Sequence, residues 1–369
     1  MRIAIVLNSS WNIYNFRRGL IEELLKEGHT VLAIAPKDKY SNHLMTLGCE
    51  FYPVTLEKKG SNPFKDIKYL GRLYRIYKKT KPDIILQFTI KPNIYGTLAA
   101  SMLNIPVINN VCGLGTVFLR EQLLSSKVAR LLYKFSFRFP QKVFFQNQDD
   151  RSLFIKRRYI NPSITDLVPG SGIPVEKFKS LGFKRNKVFR FLLIARLIYD
   201  KGILDYIEAI KILKSQGIDA QFSILGAIEE DANLGISKQQ LNSWVEEGLV
   251  NYLGTSDNVA AIINESDCVV LPSYREGTPR VLLEAASMSK PLIATNVPGC
   301  KQTIDDGENG FLCNVKDPKD LAHKMAMMLD LNDRELMVMG QKSRQKAEQE
   351  FDEKLVVRKY IDTIKHFES

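Results

Sequence analysis

Short runs of β-branched and apolar residues alternate along the first half of the chain with stretches whose apolar positions recur every three or four residues. Arg2–Leu7, Val31–Ala35, Asp83–Phe88, Val107–Val111 and Lys142–Gln146 are the short runs, and they predict strands buried on both faces. Between them, Phe16–Lys26 and Asn93–Leu103 carry the helical period. The second half repeats the scheme. Phe189–Ile194, Gln221–Leu225, Cys268–Pro272 and Pro291–Ala294 predict strands, and Leu204–Ser215, Pro279–Met288 and Leu321–Leu329 predict helices. Strand, helix, strand in repetition implies α/β folding, a parallel sheet covered on both faces. At roughly 150 residues per domain, 369 residues make about two domains. Pro169–Phe178, PGSGIPVEKF, holds two glycines and two prolines and is the best linker candidate. The expected architecture is two Rossmann-like lobes with a deep cleft between them, ligands lying at the C-terminal ends of the strands.

Composition narrows the classes. No run of about 18 apolar residues exists, so no helix is expected to cross a bilayer. The apolar run in MRIAIVLNSSWN is too short for a secretory signal. Cys49, Cys112, Cys268, Cys300 and Cys313 form no CxxC pair, which predicts reduced thiols in a cytosol and no zinc site. The formal net charge of +11 is unevenly spread. Residues 1–180 hold 28 Lys plus Arg against 13 Asp plus Glu, whereas the remainder is slightly acidic. The first half is therefore expected to face something anionic. GLGTVF at 113–118 lacks the third glycine of GxGxxG, and there is no GxxxxGK[ST] loop. A redox dinucleotide enzyme and a P-loop NTPase are both disfavoured. No Asp-x-Asp pair offers an obvious metal-held diphosphate site, so no metal or other cofactor is expected.

Two segments look chemical. In CVVLPSYREGTPRVLLEAASMS (268–289) a strand runs into a polar turn and then a helix, with Thr278 as expected N-cap and Pro279 as first helical residue. Glu276 in the turn and Glu284 in the helix suit acceptance from sugar or ribose hydroxyls. Most glutamates are merely solvated charges. Glu284 lies among Leu282, Leu283, Ala285 and Ala286, however, so it would be partly buried and would need partners. In FLLIARLIYDKGILD (191–205) a buried strand delivers Arg196, and Lys201-Gly202 leads into the next helix. Two cations across such a turn make a reasonable diphosphate clamp.

ARLIYDKG, PSYREGTPRVLLEA, VPGCKQTIDDGENGFL and the linker VPGSGI together resemble a glycosyltransferase of family 4, the retaining GT-B class. TIKPNIYG (89–96) and NNVCGLGTVF (109–118) are similar to a bacterial surface-polysaccharide branch of it. That branch includes enzymes adding N-acetylgalactosamine or related amino sugars to undecaprenyl-diphosphate-linked saccharides. The resemblance implies that Arg196 and Lys201 hold the diphosphate of a UDP-sugar and that Glu284 binds its ribose. It implies that Glu276, with the backbone of Gly277, Thr278, Pro279 and Arg280, binds the transferred sugar, and that the loop from Gly254 to Val259 lines the base. Glu276, Arg196 and Lys201 are the catalytic candidates. The loop of Gly113 and Gly115, with Lys91, would face a polyprenyl-diphosphate saccharide acceptor. Residues 1–170, with a C-terminal helix at 351–369 packing back, would form the acceptor lobe, and 171–350 the nucleotide-sugar lobe. Many relatives carry a His where Phe88–Lys91 here reads FTIK, so no catalytic His carries over. Other readings are a GT-B sugar-nucleotide 2-epimerase or a catalytically inactive sugar-nucleotide binder. A nucleic-acid binder lacks any recognised module.

The basic half then acquires a target. Ile67, Leu70, Leu73 and Tyr77 alternate with Lys68, Arg72, Arg75 and Lys79, and residues 117–145 mix Phe118, Leu119, Leu123, Leu124, Phe135, Phe137 and Phe139 with Arg120, Lys127, Arg130, Lys134 and Arg138. Basic amphipathic helices with aromatics suit an anionic membrane surface, here the inner face of a bacterial cytoplasmic membrane. For 64–81, packing into the lobe core is an equal alternative.

Overall fold

The computed structural model describes residues 1–56, 63–114, 122, 124–229, 231 and 233–367. The chain divides into two compact units, Met1–Gly172 with Glu353–Ser369, and Ile173–Asp352.

Unit 1 is built on seven strands: β1 (Arg2–Val6), β2 (Thr30–Ala35), β3 (Glu50–Pro53), β4 (Ile84–Phe88), β5 (Val107–Val111), β6 (Lys142–Phe145) and β7 (Thr165–Leu167). They form one sheet in the order β3-β2-β1-β4-β5-β6-β7, and every pairing is parallel. The chain reverses its direction of travel across the sheet between β1 and β4, a topological switch point. The helices are α1 (Ser10–Lys26), α2 (Ser41–Thr46), α3 (Pro63–Thr80), α4 (Thr97–Ser101), α5 (Leu124–Ser136) and α6 (Gln148–Lys156). Alternation along β1 explains the layers. Ile3, Ile5 and Leu7 pack with Leu20, Ile21 and Leu24 of α1, while Ala4 and Val6 pack on the other face with Tyr69, Leu73 and Tyr77 of α3. The helix expected over Asn93–Leu103 opens instead as a π-turn, Pro92–Gly96, and only then becomes α4.

Unit 2 holds β8 (Arg190–Ile194), β9 (Gln221–Leu225), β10 (Asn251–Tyr252), β11 (Cys268–Leu271), β12 (Leu292–Thr295) and β13 (Gly310–Cys313). Its sheet order is β10-β9-β8-β11-β12-β13, again all parallel, with the switch point between β8 and β11. Helices α7 (Ile203–Ser215), α8 (Lys238–Glu246), α9 (Val259–Glu265), α10 (Arg280–Ser287), α11 (Pro318–Asp330) and α12 (Asp333–Glu350) cover it. Phe191 and Leu193 face α7 and α11 in one core, and Leu192 faces Leu282 and Ala285 of α10 in the other. The last helix, α13 (Glu353–Lys365), returns to unit 1, where Val356, Tyr360, Ile361 and Ile364 close the α1 side of its core. Among the described residues no helix is long and apolar enough to cross a membrane.

Candidate functional site

The residues singled out in the second half converge on the C-terminal edge of the unit 2 sheet. Arg196 follows β8, Lys201 lies in the 3-10 turn Tyr199–Lys201, Gly254 follows β10, and Glu276 lies in the loop after β11. Lys201 and Glu276 thus meet from the two strands flanking the switch point, where sheets of this kind hold ligands. Lys201 Nζ donates to Glu276 Oε1, and both side chains are largely buried. Two close backbone approaches hold this pair. Gly202 has φ of +69°, and a Cβ on it would stand 2.0 Å from the Pro272 carbonyl oxygen after β11. Gly299 has φ of +88°, and a Cβ there would stand 2.5 Å from the Gly277 carbonyl oxygen. Only glycine fits either place. The Glu276 N–H also donates to Pro298 O at 3.1 Å, and the Tyr274 N–H to Asp200 O at 2.9 Å.

Arg196 is the open cation, its side chain 67% exposed, and Nη1 stands 4.0 Å from Glu229 Oε2. Glu229, 8% exposed, was not foreseen. The segment after β9 folds over the end of β8, with Leu197 N–H on Ala227 O at 2.9 Å and Tyr199 N–H on Leu234 O at 3.0 Å. A contact made from the loop after one strand to the loop after the next, with α7 and β9 between them in the chain, leaves no periodic trace in the sequence. Gly254 O accepts from the Gly226 N–H at 2.7 Å, which fixes its loop beside the end of β9.

The carboxylate helix departs from expectation at its start. Pro279, not Thr278, occupies the N-cap position, with φ −72° and ψ 111°, and α10 begins at Arg280. Proline offers no side-chain acceptor, so the first turn is left without the usual side-chain cap. Glu284 does find a partner: Arg280 Nε donates to its Oε1 at 3.0 Å, with 16% and 15% of the two side chains exposed. This i,i+4 spacing was readable in RVLLE. Burial pushes the Glu284 carboxyl above the ordinary carboxylate value, and Arg280 opposes that shift. Tyr274 is raised to about 12 by burial and by its hydrogen bond to Asp205. Among the described residues no group of three or more His, Cys, Asp and Glu is placed to hold a metal ion.

In unit 1, Gly113 follows β5 with φ of +115°. Gly115 lies outside the described residues, as do Phe118, Leu119, Arg120 and Leu123. Lys91 bonds to Asp66 Oδ1 of α3 at 2.8 Å, and the same carboxylate accepts from Tyr95 Oη at 3.0 Å. Lys91 is thereby tied to its own scaffold. A cavity of about 290 Å³ lined by Asp267, Ser289 and Lys290 lies at the opposite edge of the unit 2 sheet, ahead of β11 and β12. Asp267 there is already bonded to the N–H groups of Asn186 and Arg190.

Residues 175–346 match the model of the glycosyl transferases group 1, and residues 2–147 match the glycosyl transferase 4-like model. The chain is a glycosyltransferase with two Rossmann-like domains, of the GT-B type. Over 98% of its length it is 28% identical to, and covers 97% of, the N,N'-diacetylbacillosaminyl-diphospho-undecaprenol alpha-1,3-N-acetylgalactosaminyltransferase of Campylobacter jejuni. It is 29% identical over 82% of its length to a UDP-Gal:alpha-D-GlcNAc-diphosphoundecaprenol alpha-1,3-galactosyltransferase of Escherichia coli, of which 79% is covered. In fold it resembles Anabaena HepE in complex with UDP and glucose, with a TM-score of 0.79, 17% identity, 99% of this chain and 100% of that one. A sucrose-phosphate synthase from Thermosynechococcus elongatus gives 0.82 with 18% identity, covering 99% and 98% of the two chains.

Proposed function

We propose that the protein transfers a hexose or N-acetylhexosamine, best N-acetylgalactosamine, from a UDP-sugar to a polyprenyl-diphosphate-linked saccharide in surface polysaccharide assembly, with retention of configuration. The observation that carries the reading is the Lys201–Glu276 pair at the switch point, with Arg196 after β8 and the Arg280–Glu284 pair in the helix that follows β11: Arg196 and Lys201 for a diphosphate, Glu276 and Glu284 for hydroxyls. Gly254 stands two strands beyond β8 in the sheet, roughly 10 Å away, room for a base and ribose between it and the clamp. The acceptor class is supported by the names of the two relatives from Campylobacter jejuni and Escherichia coli.

In the reaction proposed, the bond between the sugar C1 and the β-phosphate oxygen breaks, and the acceptor hydroxyl oxygen bonds to C1 on the same face. The hydroxyl proton passes to the departing phosphate oxygen, and UDP leaves. Arg196 and Lys201 meet the charge that develops on that phosphate, so no metal or other cofactor is invoked. Glu276 releases Lys201 toward the diphosphate and takes hydroxyls of the transferred sugar in exchange. The backbone of Gly277 to Arg280 supports the sugar.

We further propose that the enzyme works on the inner face of the cytoplasmic membrane, bound peripherally through unit 1. Val128, Leu131 and Phe135 form an exposed apolar row on α5, continued by Phe139, while Tyr133 and Phe137 are buried. Lys127, Lys134 and Arg138 are exposed around that row. On α3, by contrast, Leu73 and Tyr77 belong to the core, and Ile67 is the exposed member of the set. Sugar nucleotides screened against short polyprenyl-diphosphate saccharides test the activity. Transfer from a UDP-sugar supports it. Interconversion of the donor without acceptor supports an epimerase, and binding without turnover an inactive relic.

A further inference from the structure

Arg17 stands in the middle of α1 with 5% of its surface exposed. Its guanidinium carbon lies 4.1 Å from the centroid of the Phe88 ring, and Nη2 faces Cys112 Sγ at 3.9 Å. Nε is shut off from solvent and has no hydrogen-bond partner among the described residues. Among the described residues no carboxylate pairs with it. Its surroundings are neutral: the Cys112 thiol donates to Asn110 Oδ1 at 3.2 Å, and Asn110 Nδ2 donates to Tyr360 Oη at 2.7 Å. Stacking on an aromatic face returns only part of what it costs to seal a charge away from water. An arginine cannot escape that cost by losing its proton. The side chain is therefore a standing cation that lacks its anion.

Its place in the fold says where the anion comes from. Phe88 ends β4 and Cys112 follows β5, so the guanidinium sits at the C-terminal edge of the unit 1 sheet, beside the switch point and the Gly113 turn. A second feature lies in the same place. Thr89, directly after Phe88, has φ of +69°, and its Oγ1 is buried with no partner among the described residues. The backbone of Thr89 bonds to the same Cys112 thiol that Arg17 faces. A left-handed threonine with an idle hydroxyl next to an unpaired guanidinium is a strained arrangement that a bound group would repair.

We propose that Arg17, with the Thr89 hydroxyl, forms an anion subsite of unit 1 that holds a phosphate oxygen of the acceptor's diphosphate. The guanidinium fork matches phosphate geometry in a way a lysine ammonium does not. The acceptor part of this assignment rests on the substrate class proposed above; the anion subsite itself does not.

The full-length protein is titrated calorimetrically with inorganic pyrophosphate while UDP is held saturating, so that Arg196 and Lys201 are occupied. One pyrophosphate site is expected in the wild type, at least tenfold weaker in Arg17→Lys and absent in Arg17→Met. Arg17→Met is expected to melt no lower than wild type, since an unpaired buried cation has gone. No site in the wild type, or equal affinity in Arg17→Lys, overturns the subsite, and Arg17→Lys decides alone if Arg17→Met does not fold. In a second arm, KM for the polyprenyl-diphosphate saccharide is expected to rise at least tenfold in Arg17→Lys with KM for the UDP-sugar unchanged. An Arg17-dependent pyrophosphate site without that rise overturns the assignment to the acceptor. Pyrophosphate binding without transfer to any acceptor sinks the proposed function and leaves the subsite standing.

Discussion

At the residue scale the structure turns isolated charges into pairs. Lys201 is held by Glu276 and Arg280 by Glu284, each pair largely buried, while Arg196 stays open near Glu229. Replacing Lys201 by Ala leaves Glu276 without its Lys201 partner and, on the proposed reading, removes a charged hydrogen bond to the donor phosphate. Such bonds contribute about 1.5–3 kcal/mol, which predicts a loss of roughly 10- to 150-fold in kcat/KM with the fold intact. Wild-type kinetics in Lys201→Ala reject the clamp. Glu284 gives a pH prediction. Its carboxyl is raised by burial, so in the free protein its protonated form is favoured: the stability it contributes is present below the ordinary Glu value and lost as the pH rises through the raised one. The ribose contact proposed for Glu284 needs its ionised form, which burial disfavours. UDP affinity is therefore expected to fall as the pH drops from neutral toward 4.5, beginning before an exposed Glu would protonate. Calorimetry checks this, and a step of the same size in Glu284→Gln contradicts it. The residue types and spacings of this site were legible in the sequence, and so was the need of Glu284 for a partner; that the partner is Arg280 was not read, although the i,i+4 interval carried the signal. Glu229 was not, because long-range loop contacts have no period.

At the scale of elements, strands buried on both faces were legible because they must be continuously apolar. The edge strands β3, β7 and β10 were missed for the converse reason: EFYP, TDL and NY are short, partly polar and covered on one side only. β13, GFLC, was missed as well, and its Gly310 lies against Leu292 O, where a Cβ would stand at 2.1 Å. The turn joining β8 to α7 shows what a single atom does at this scale. Gly202→Ala would drive a Cβ into the Pro272 carbonyl and force apart the strand ends that bring Lys201 to Glu276. A lower melting temperature, by at least about 1–3 kcal/mol of stability, is expected together with weaker UDP binding; unchanged values of both refute the close approach. For α5, changing Lys127, Arg130 and Lys134 together to Glu is expected to abolish sedimentation with anionic liposomes at low salt. Each basic residue near an anionic leaflet contributes about 1 kcal/mol, so a wild type that ignores such liposomes removes the membrane proposal.

At the scale of the molecule, the family models fall on the two units in turn, one on residues 2–147 and the other on 175–346. The first crossing of the chain between units, at Gly172–Ile173, falls within the Gly- and Pro-rich segment 169–178. The excess of basic residues belongs to the first half and the carboxylate and cation pairs to the second, a division of charge consistent with a lipid-linked anionic acceptor for one unit and a nucleotide sugar for the other. If, as proposed, Arg196 and Lys201 answer the phosphates, turnover is expected to survive EDTA; complete loss restored by Mg²⁺ or Mn²⁺ would assign that charge to a metal instead. The identity of the sugar was not legible, since epimers differ in one hydroxyl orientation that loop positions decide. The most direct measurement is NMR of the product formed from UDP-N-acetylgalactosamine and a polyprenyl-diphosphate saccharide. An α-linked sugar, the configuration of the donor retained, is the result this account predicts; a β-linked product would contradict it.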